Sequence, residues 1–281
     1  MKIALVLLRT LGDVVIGNTL VNEIKRTYPD SDIYYYVEKS YLEVINCNPN
    51  LKEVIVLPCL DAVLLDIAEK RYDKVFFPYQ TTREDNIWHQ VEKHRHQHLL
   101  DFYAKRCGIE IKDRKLFGYF NDEQRKKVKL YASGIVIHIS TLVPSKNWDK
   151  FSELVLEIKR KYPMIPIYQV GKKEEPLIAD VIDTREKFTI GELYAFLKKS
   201  TMLIGLDSGV SYMAAAVNIP VICIMGATIP MTSGPIGEKV HHIVAETKCE
   251  PRCHGNCRFD NPCIRKITIE QVMEKVKEII R

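Results

Sequence analysis

Hydrophobic positions follow two rhythms along this chain, and the rhythms alternate. The run Lys2-Ile-Ala-Leu-Val-Leu-Leu8 is continuous, as in a strand buried on both faces; after Arg9-Thr-Leu-Gly-Asp13 the apolar positions resume at helical spacing from Val14 to Tyr28. The same alternation predicts strands at Ile33 to Val37, Val54 to Leu57 and Lys74 to Pro78, with helices at about Tyr41 to Asn46 and Trp88 to Arg106. A polar, charged passage from Asn121 to Ser133 interrupts it. A second series then predicts strands at Ile135 to Ser140, Ile165 to Val170, Met202 to Gly205 and Val221 to Met225. Helices are expected between them at Asp149 to Tyr162, Ile190 to Lys199 and Val210 to Val217. The final helix, Thr268 to Arg281, carries an apolar stripe of Ile269, Val272, Met273, Val276, Ile279 and Ile280. Such βα alternation predicts doubly wound parallel sheets, divided by the polar passage into domains 1–125 and 134–281.

In sheets of this kind ligands bind beyond the carboxyl ends of the strands, so the turns that follow strands are where chemistry is expected. Gly12 offers a backbone tolerant of unusual dihedrals and of close approach, and Asp13 places a carboxylate beside it. Asp is also a favoured helix cap, and on this turn alone the catalytic and capping readings stand level. In the second half, Asp207-Ser208-Gly209 sets small hydrogen-bonding groups and free amides at a helix start, suited to phosphate or sugar hydroxyls. The segment His138-Ile-Ser-Thr-Leu-Val-Pro-Ser-Lys-Asn-Trp148 also follows a strand and carries Lys146.

Taken in order, Leu-Gly-Asp-Val at the front, Lys-x-Trp in the middle, Asp-Ser-Gly and Gly234-Pro-Ile-Gly237 resemble glycosyltransferase family 9, the ADP-heptose:lipopolysaccharide heptosyltransferases and their relatives. Two positions depart from the family pattern. Tyr212 stands where a His usually follows Asp-Ser-Gly, and Gly226-Ala-Thr228 replaces Gly-Pro-Thr, so the donor's identity is more open than the fold.

The resemblance implies an α/β fold of GT-B type, two Rossmann-like domains facing across a cleft, with the acceptor on the first and the nucleotide-sugar donor on the second. It implies an inverting transferase that moves a heptose or related sugar, most naturally ADP-linked, to an anionic glycan or glycolipid acceptor of lipopolysaccharide type. Asp13 is carried over as the base, with Arg9 and Gly12 on the same turn. Thr141 and Lys146 would hold the diphosphate with help from Ser208 and the amides around Gly209 and Thr228. Asp207 would bond sugar hydroxyls, and Glu174 or Glu175 the ribose, with no choice between those two. Two other readings are a protein heptosyltransferase with a cysteine-bound metal and a nucleotide-sugar-binding protein without activity. The second gains from Tyr212, Ala227 and a length that is short for the family.

Composition narrows this further. The chain has 281 residues, 46% of them hydrophobic, enough for substantial cores. Its longest apolar runs fall well short of the roughly 18 to 20 residues of a membrane span, and Lys2 leads straight into a strand, so a cytoplasmic protein is expected. The net charge is +5, and Lys93 to Lys129 alone holds eleven Lys and Arg against five acids. That basic stretch suits an anionic glycolipid and a peripheral contact with the inner membrane surface, or is a solvated helix face. Nucleic acid is not among the expected partners.

Four cysteines cluster as Cys249-x3-Cys253-x3-Cys257-x5-Cys263. The alternatives are a structural zinc or iron, reduced thiols in a loop, or an oxidised pair. No cofactor is expected for catalysis. Asp30-Ser31-Asp32 spells a metal-binding Asp-x-Asp but falls at the amino edge of the sheet, away from ligands. His89, His94, His96 and His98 are assigned to an exposed, acceptor-facing helix; their spacing argues against a shared metal, though His94 and His98 fall at i, i+4.

Overall fold

A computed structural model describes residues 1–79, 97–226, 228–246, 257 and 261–280. Contacts divide the chain into two compact units, Met1–Tyr119 and Phe120–Arg281. Asn121 to Ser133, expected as a connector, thus packs wholly with the second unit. Its short helix carries an Asn121–Gln124 capping box, and the Gln124 side chain lies against Gly191.

In the first unit, β1 (Lys2–Val6) leads into α1 (Leu11–Thr27), followed by β2 (Asp32–Tyr36), α2 (Leu42–Ile45), β3 (Glu53–Ile55), α3 (Leu60–Lys70), β4 (Lys74–Phe76) and α4 (Leu99–Arg106). Among the described residues the sheet is parallel, in the order β3-β2-β1-β4, with Ile3 paired to Ile33 on one side and to Lys74 on the other. Burial on both faces explains the unbroken apolar run of β1, whose residues after Lys2 are all inaccessible. Asp13 begins a buried stretch of α1 that ends at Ile24, and the helix ends are charged to suit its dipole, Asp13 at the start and Lys25 and Arg26 at the finish. The buried polar face of α1 is satisfied by amide bonds: Asn18 donates to the Val44 carbonyl, and Asn48 donates to Asn18.

The second unit runs α5 (Asp122–Lys127), β5 (Ile135–His138), α6 (Phe151–Lys161), β6 (Ile167–Gln169), β7 (Ile182–Asp183), α7 (Ile190–Lys199), β8 (Met202–Leu206), α8 (Gly209–Ala216), β9 (Val221–Met225), α9 (Pro230–Ser233), β10 (Val240–Val244), α10 (Pro262–Arg265) and α11 (Ile269–Ile280). Among the described residues its parallel sheet has the order β10-β9-β8-β5-β6-β7. Read from the other edge, this is the doubly wound order in which the chain reverses direction between its first and fourth strands, here β5 and β8. The core joins β5, β8 and β9 to α6 and α11 through Ile137, Ile204, Ile224, Leu154 and Val272. Trp148 of the Lys-x-Trp motif belongs to that core: its indole N–H donates to the Ile267 carbonyl at 3.1 Å and its ring meets Phe151 edge-on.

Several expectations change. The predicted helix Trp88 to Arg106 is described only from Leu99, and His98 is extended and caps α4, its Nδ1 accepting the Leu100 amide. His98 therefore does not share a helical face with His94, which lies outside the described residues with His89 and His96. The helix α3, which buries Val63 alone, and the edge strands β7 and β10 were not expected. No helix of the described residues is long and apolar enough to cross a membrane.

Candidate active site

The turn after β1 is tighter than expected. Thr10 is the extended N-cap of α1 and Asp13 its third residue, so Asp13 is not the cap. Gly12 consequently lies inside the helix and not among the positive-φ residues; its contribution is the lack of a side chain. The Thr10 hydroxyl, free of capping duty, donates to Asp13 Oδ2 at 2.6 Å, and the Tyr103 hydroxyl from α4 donates to Oδ1 at 2.6 Å. Arg9 Nε stands 4.0 Å from Oδ2, with the guanidinium stacked 3.6 Å above the Tyr79 ring. Asp13 is 8% exposed, so this carboxylate is held almost out of water by hydroxyl donors and one cation.

In the second unit, the loops after β5, β8 and β9 bring three side chains to one point. Lys146 Nζ lies 2.7 Å from Asp207 Oδ2, and the buried Thr228 hydroxyl donates to the same oxygen at 2.6 Å. Among the described residues both bonds fall on Oδ2, leaving Oδ1 for a further donor. A half-buried ion pair at a sheet's reversal point contributes little to stability, because desolvation offsets most of its attraction.

Thr141 is used differently from expectation. Its amide donates to Asn147 Oδ1 at 2.8 Å and its hydroxyl lies within 3.0 Å of that oxygen and of the Val143 carbonyl, so it closes the loop that carries Lys146. Ser208, the N-cap of α8, pairs its hydroxyl with His138 Nδ1 at 3.0 Å, while Gly209 opens the helix. His138 is enclosed at the end of β5, and burial pushes its imidazole down to about 4, so it is neutral.

The structure separates the two glutamates. Glu174 is exposed. Glu175 folds back over Gly171, its Oε1 accepting the Lys172 amide at 3.0 Å and its Oε2 buried without a hydrogen-bond partner among the described residues. Burial raises its carboxyl above the usual range. Asp32 opens β2 at the amino edge of the first unit's sheet, opposite to the carboxyl end of β1 that leads to Asp13.

Tyr103, Thr10, Asn147 and His138 were missed as site residues. Thr10 could have been found from the Thr-x-x-Asp spacing at a helix start, and His138 and Asn147 lie within the segment that carries Lys146 without having been singled out; Tyr103, ninety residues from Asp13, carries no local signal. Of the cysteine cluster, Cys249 and Cys253 lie outside the described residues. Cys257 Sγ accepts the Asn261 amide at 3.2 Å and Cys263 is buried in α10. Among the described residues no three His, Cys, Asp or Glu side chains gather as a metal site. Ala227 is likewise undescribed, whereas Tyr212 is buried and donates its hydroxyl to the Ser233 carbonyl, tying α8 to α9.

The family model for glycosyltransferase family 9 (heptosyltransferase) matches residues 68–262. The chain belongs to glycosyltransferase family 9. This family 9 protein is 23% identical to lipopolysaccharide heptosyltransferase 1 of Campylobacter coli over 99% of both chains. It also resembles the solved family 9 glycosyl transferase of Veillonella parvula, at 20% identity and a TM-score of 0.79, covering 99% of this chain and 97% of that one. The E. coli ADP-heptose lps heptosyltransferase II is similar at 13% identity and a TM-score of 0.74, covering 100% and 98%. The α/β fold of GT-B type is thereby shown, and the family 9 protein is a glycosyltransferase. It spans nearly the whole length of these relatives, so a short chain no longer speaks for a protein without activity.

Proposed function

We propose that this glycosyltransferase moves a heptose or closely related sugar from an ADP-linked donor to an acceptor of lipopolysaccharide type, with inversion at the anomeric carbon. The observation that carries the reading is the convergence of Lys146, Asp207 and Thr228 at the reversal point of the second sheet. The donor and acceptor classes are those in the names of the Campylobacter and E. coli relatives.

Inversion requires one displacement. Asp13 accepts the proton of the acceptor hydroxyl as its oxygen attacks the anomeric carbon, and the nucleoside diphosphate departs from the opposite face. Lys146, with the amides near Gly209 and Thr228, takes up the negative charge that grows on the diphosphate. Lys146 retains two N–H donors beyond its bond to Asp207, so it can serve phosphate without breaking the pair. Asp207 Oδ1 is suited to a sugar hydroxyl, and Glu175, with its unpartnered buried oxygen, to the ribose. Tyr212, standing where the family pattern usually has His, has its hydroxyl committed to the Ser233 carbonyl.

Cys249, Cys253, Cys257 and Cys263 offer the all-thiolate donor set that zinc or iron prefers, and the amide bond to Cys257 Sγ is of the kind that supports metal-bound thiolates. Such an ion would order the segment before α11 and supply no step of the reaction.

The test is turnover of ADP-heptose with a lipopolysaccharide acceptor. Asp13→Ala is expected to lower kcat by about 10²-fold or more, the scale of a lost general base, with ADP affinity unchanged by calorimetry. Full activity in the folded variant would remove Asp13 from the chemistry.

A further inference from the structure

Tyr103 is fully buried on α4, ninety residues from Asp13 in sequence, and its hydroxyl ends 2.6 Å from Asp13 Oδ1. Burial alone does not force that bond. Tyr194 is equally inaccessible and its hydroxyl finds no partner among the described residues, so this fold accommodates a buried phenol without one. The Tyr103 ring is further braced edge-on by Tyr79, over whose ring the Arg9 guanidinium is stacked. Among the described residues, the ionisable groups facing Asp13 are therefore Arg9, Tyr79 and Tyr103, with the Thr10 hydroxyl completing the enclosure.

Accepting Asp13 as the base, we infer that Tyr103 is a positioning residue that fixes the Asp13 carboxylate and sets its basicity. A hydroxyl bonded to a carboxylate favours the charged form and gives up part of that bond when the carboxyl is protonated. Tyr103 cannot change roles during the reaction. Burial and the neighbouring Asp13 charge hold its phenol well above the usual range, so it donates throughout. With Thr10 on Oδ2 and Tyr103 on Oδ1, rotation of the carboxylate would break two bonds at once. The acceptor proton is thus received by a group whose orientation is set before substrate arrives.

The test reads Asp13 directly in the full-length protein, without substrate, from the pH titration of its carboxyl carbon by NMR after selective 13C-Asp labelling and assignment with Asp13→Asn. Tyr103→Phe, which removes one donor to the charged form, is expected to move the titration midpoint upward. Replacing Tyr103 by 3,5-difluorotyrosine, a stronger donor of nearly the same shape, should lower it, and this second variant keeps the question open to refutation if Tyr103→Phe folds poorly. In turnover, Tyr103→Phe should lower kcat about tenfold with the donor KM unchanged, and the acid limb of the kcat–pH profile should move with the midpoint. A midpoint that stays put in both variants would make Tyr103 a core residue only and overturn the inference, while leaving Asp13 as base. Wild-type turnover in Asp13→Ala would instead remove the base itself, and the role of Tyr103 with it.

Discussion

Residues of the same type serve opposite ends in this protein, and their surroundings decide which. Asp13 and Asp207 each follow a buried strand, but Asp13 receives two hydroxyls and Asp207 an ammonium and a hydroxyl on one oxygen. His138 shows the same dependence on place. Enclosed and neutral, it binds fewer protons folded than unfolded between its ordinary 6.5 and about 4, so stability falls as pH drops through that window and levels off below it. His138→Asn keeps a polar partner for Ser208 and cannot titrate. Urea unfolding at pH 7 and pH 4 should show the wild type losing up to about 3 kcal/mol more than the variant, because each pH unit between the folded and unfolded midpoints is worth about 1.4 kcal/mol. Asp13 and Lys146 were legible as candidates because motif order pointed to them; that Glu175 is half-buried and Glu174 exposed was not, because alternate burial of adjacent side chains in a loop has no sequence rhythm.

At the scale of elements, the buried strands and long helices follow from periodicity, and their ends do not. The helix start at Leu11 rather than Val14 turned Asp13 from a candidate cap into an inward-facing third residue, and freed the Thr10 hydroxyl to reach it. The turn after β6 depends on Gly171, whose φ of +142° lies where side chains are strained and whose added Cβ would sit 2.3 Å from Glu175 Oε2. The Glu175 carboxylate can swing aside, so the main cost of Gly171→Ala is backbone strain, about 1–3 kcal/mol in urea unfolding. That swing displaces the proposed ribose ligand, and calorimetry should record weaker ADP binding by the folded variant. α3, β7 and β10 escaped prediction since elements that bury little surface impose no clear pattern: α3 buries Val63 alone, and β7 and β10 are edge strands.

For the molecule as a whole, two parallel sheets each gather chemistry at the carboxyl ends of their strands, and the proposed roles divide between the units. ADP lacks the sugar and should engage the second unit's groups alone. Hydrogen exchange with ADP is expected to protect the loops carrying Lys146, Glu175, Ser208 and Thr228 and leave the turn from Arg9 to Asp13 unchanged; protection at that turn would contradict the division. The α/β class, the two βα series and the strand-end positions of Asp13, Lys146 and Asp207 could all be read along the chain, because hydrophobic period and turn composition are local properties. Strand order could not, and with it went the meeting of the loops after β5, β8 and β9 and the hold of Tyr103 on Asp13. Those are contacts between residues up to ninety positions apart, set by which strands pair in the sheet and which helices pack on it, and no window along the chain contains them.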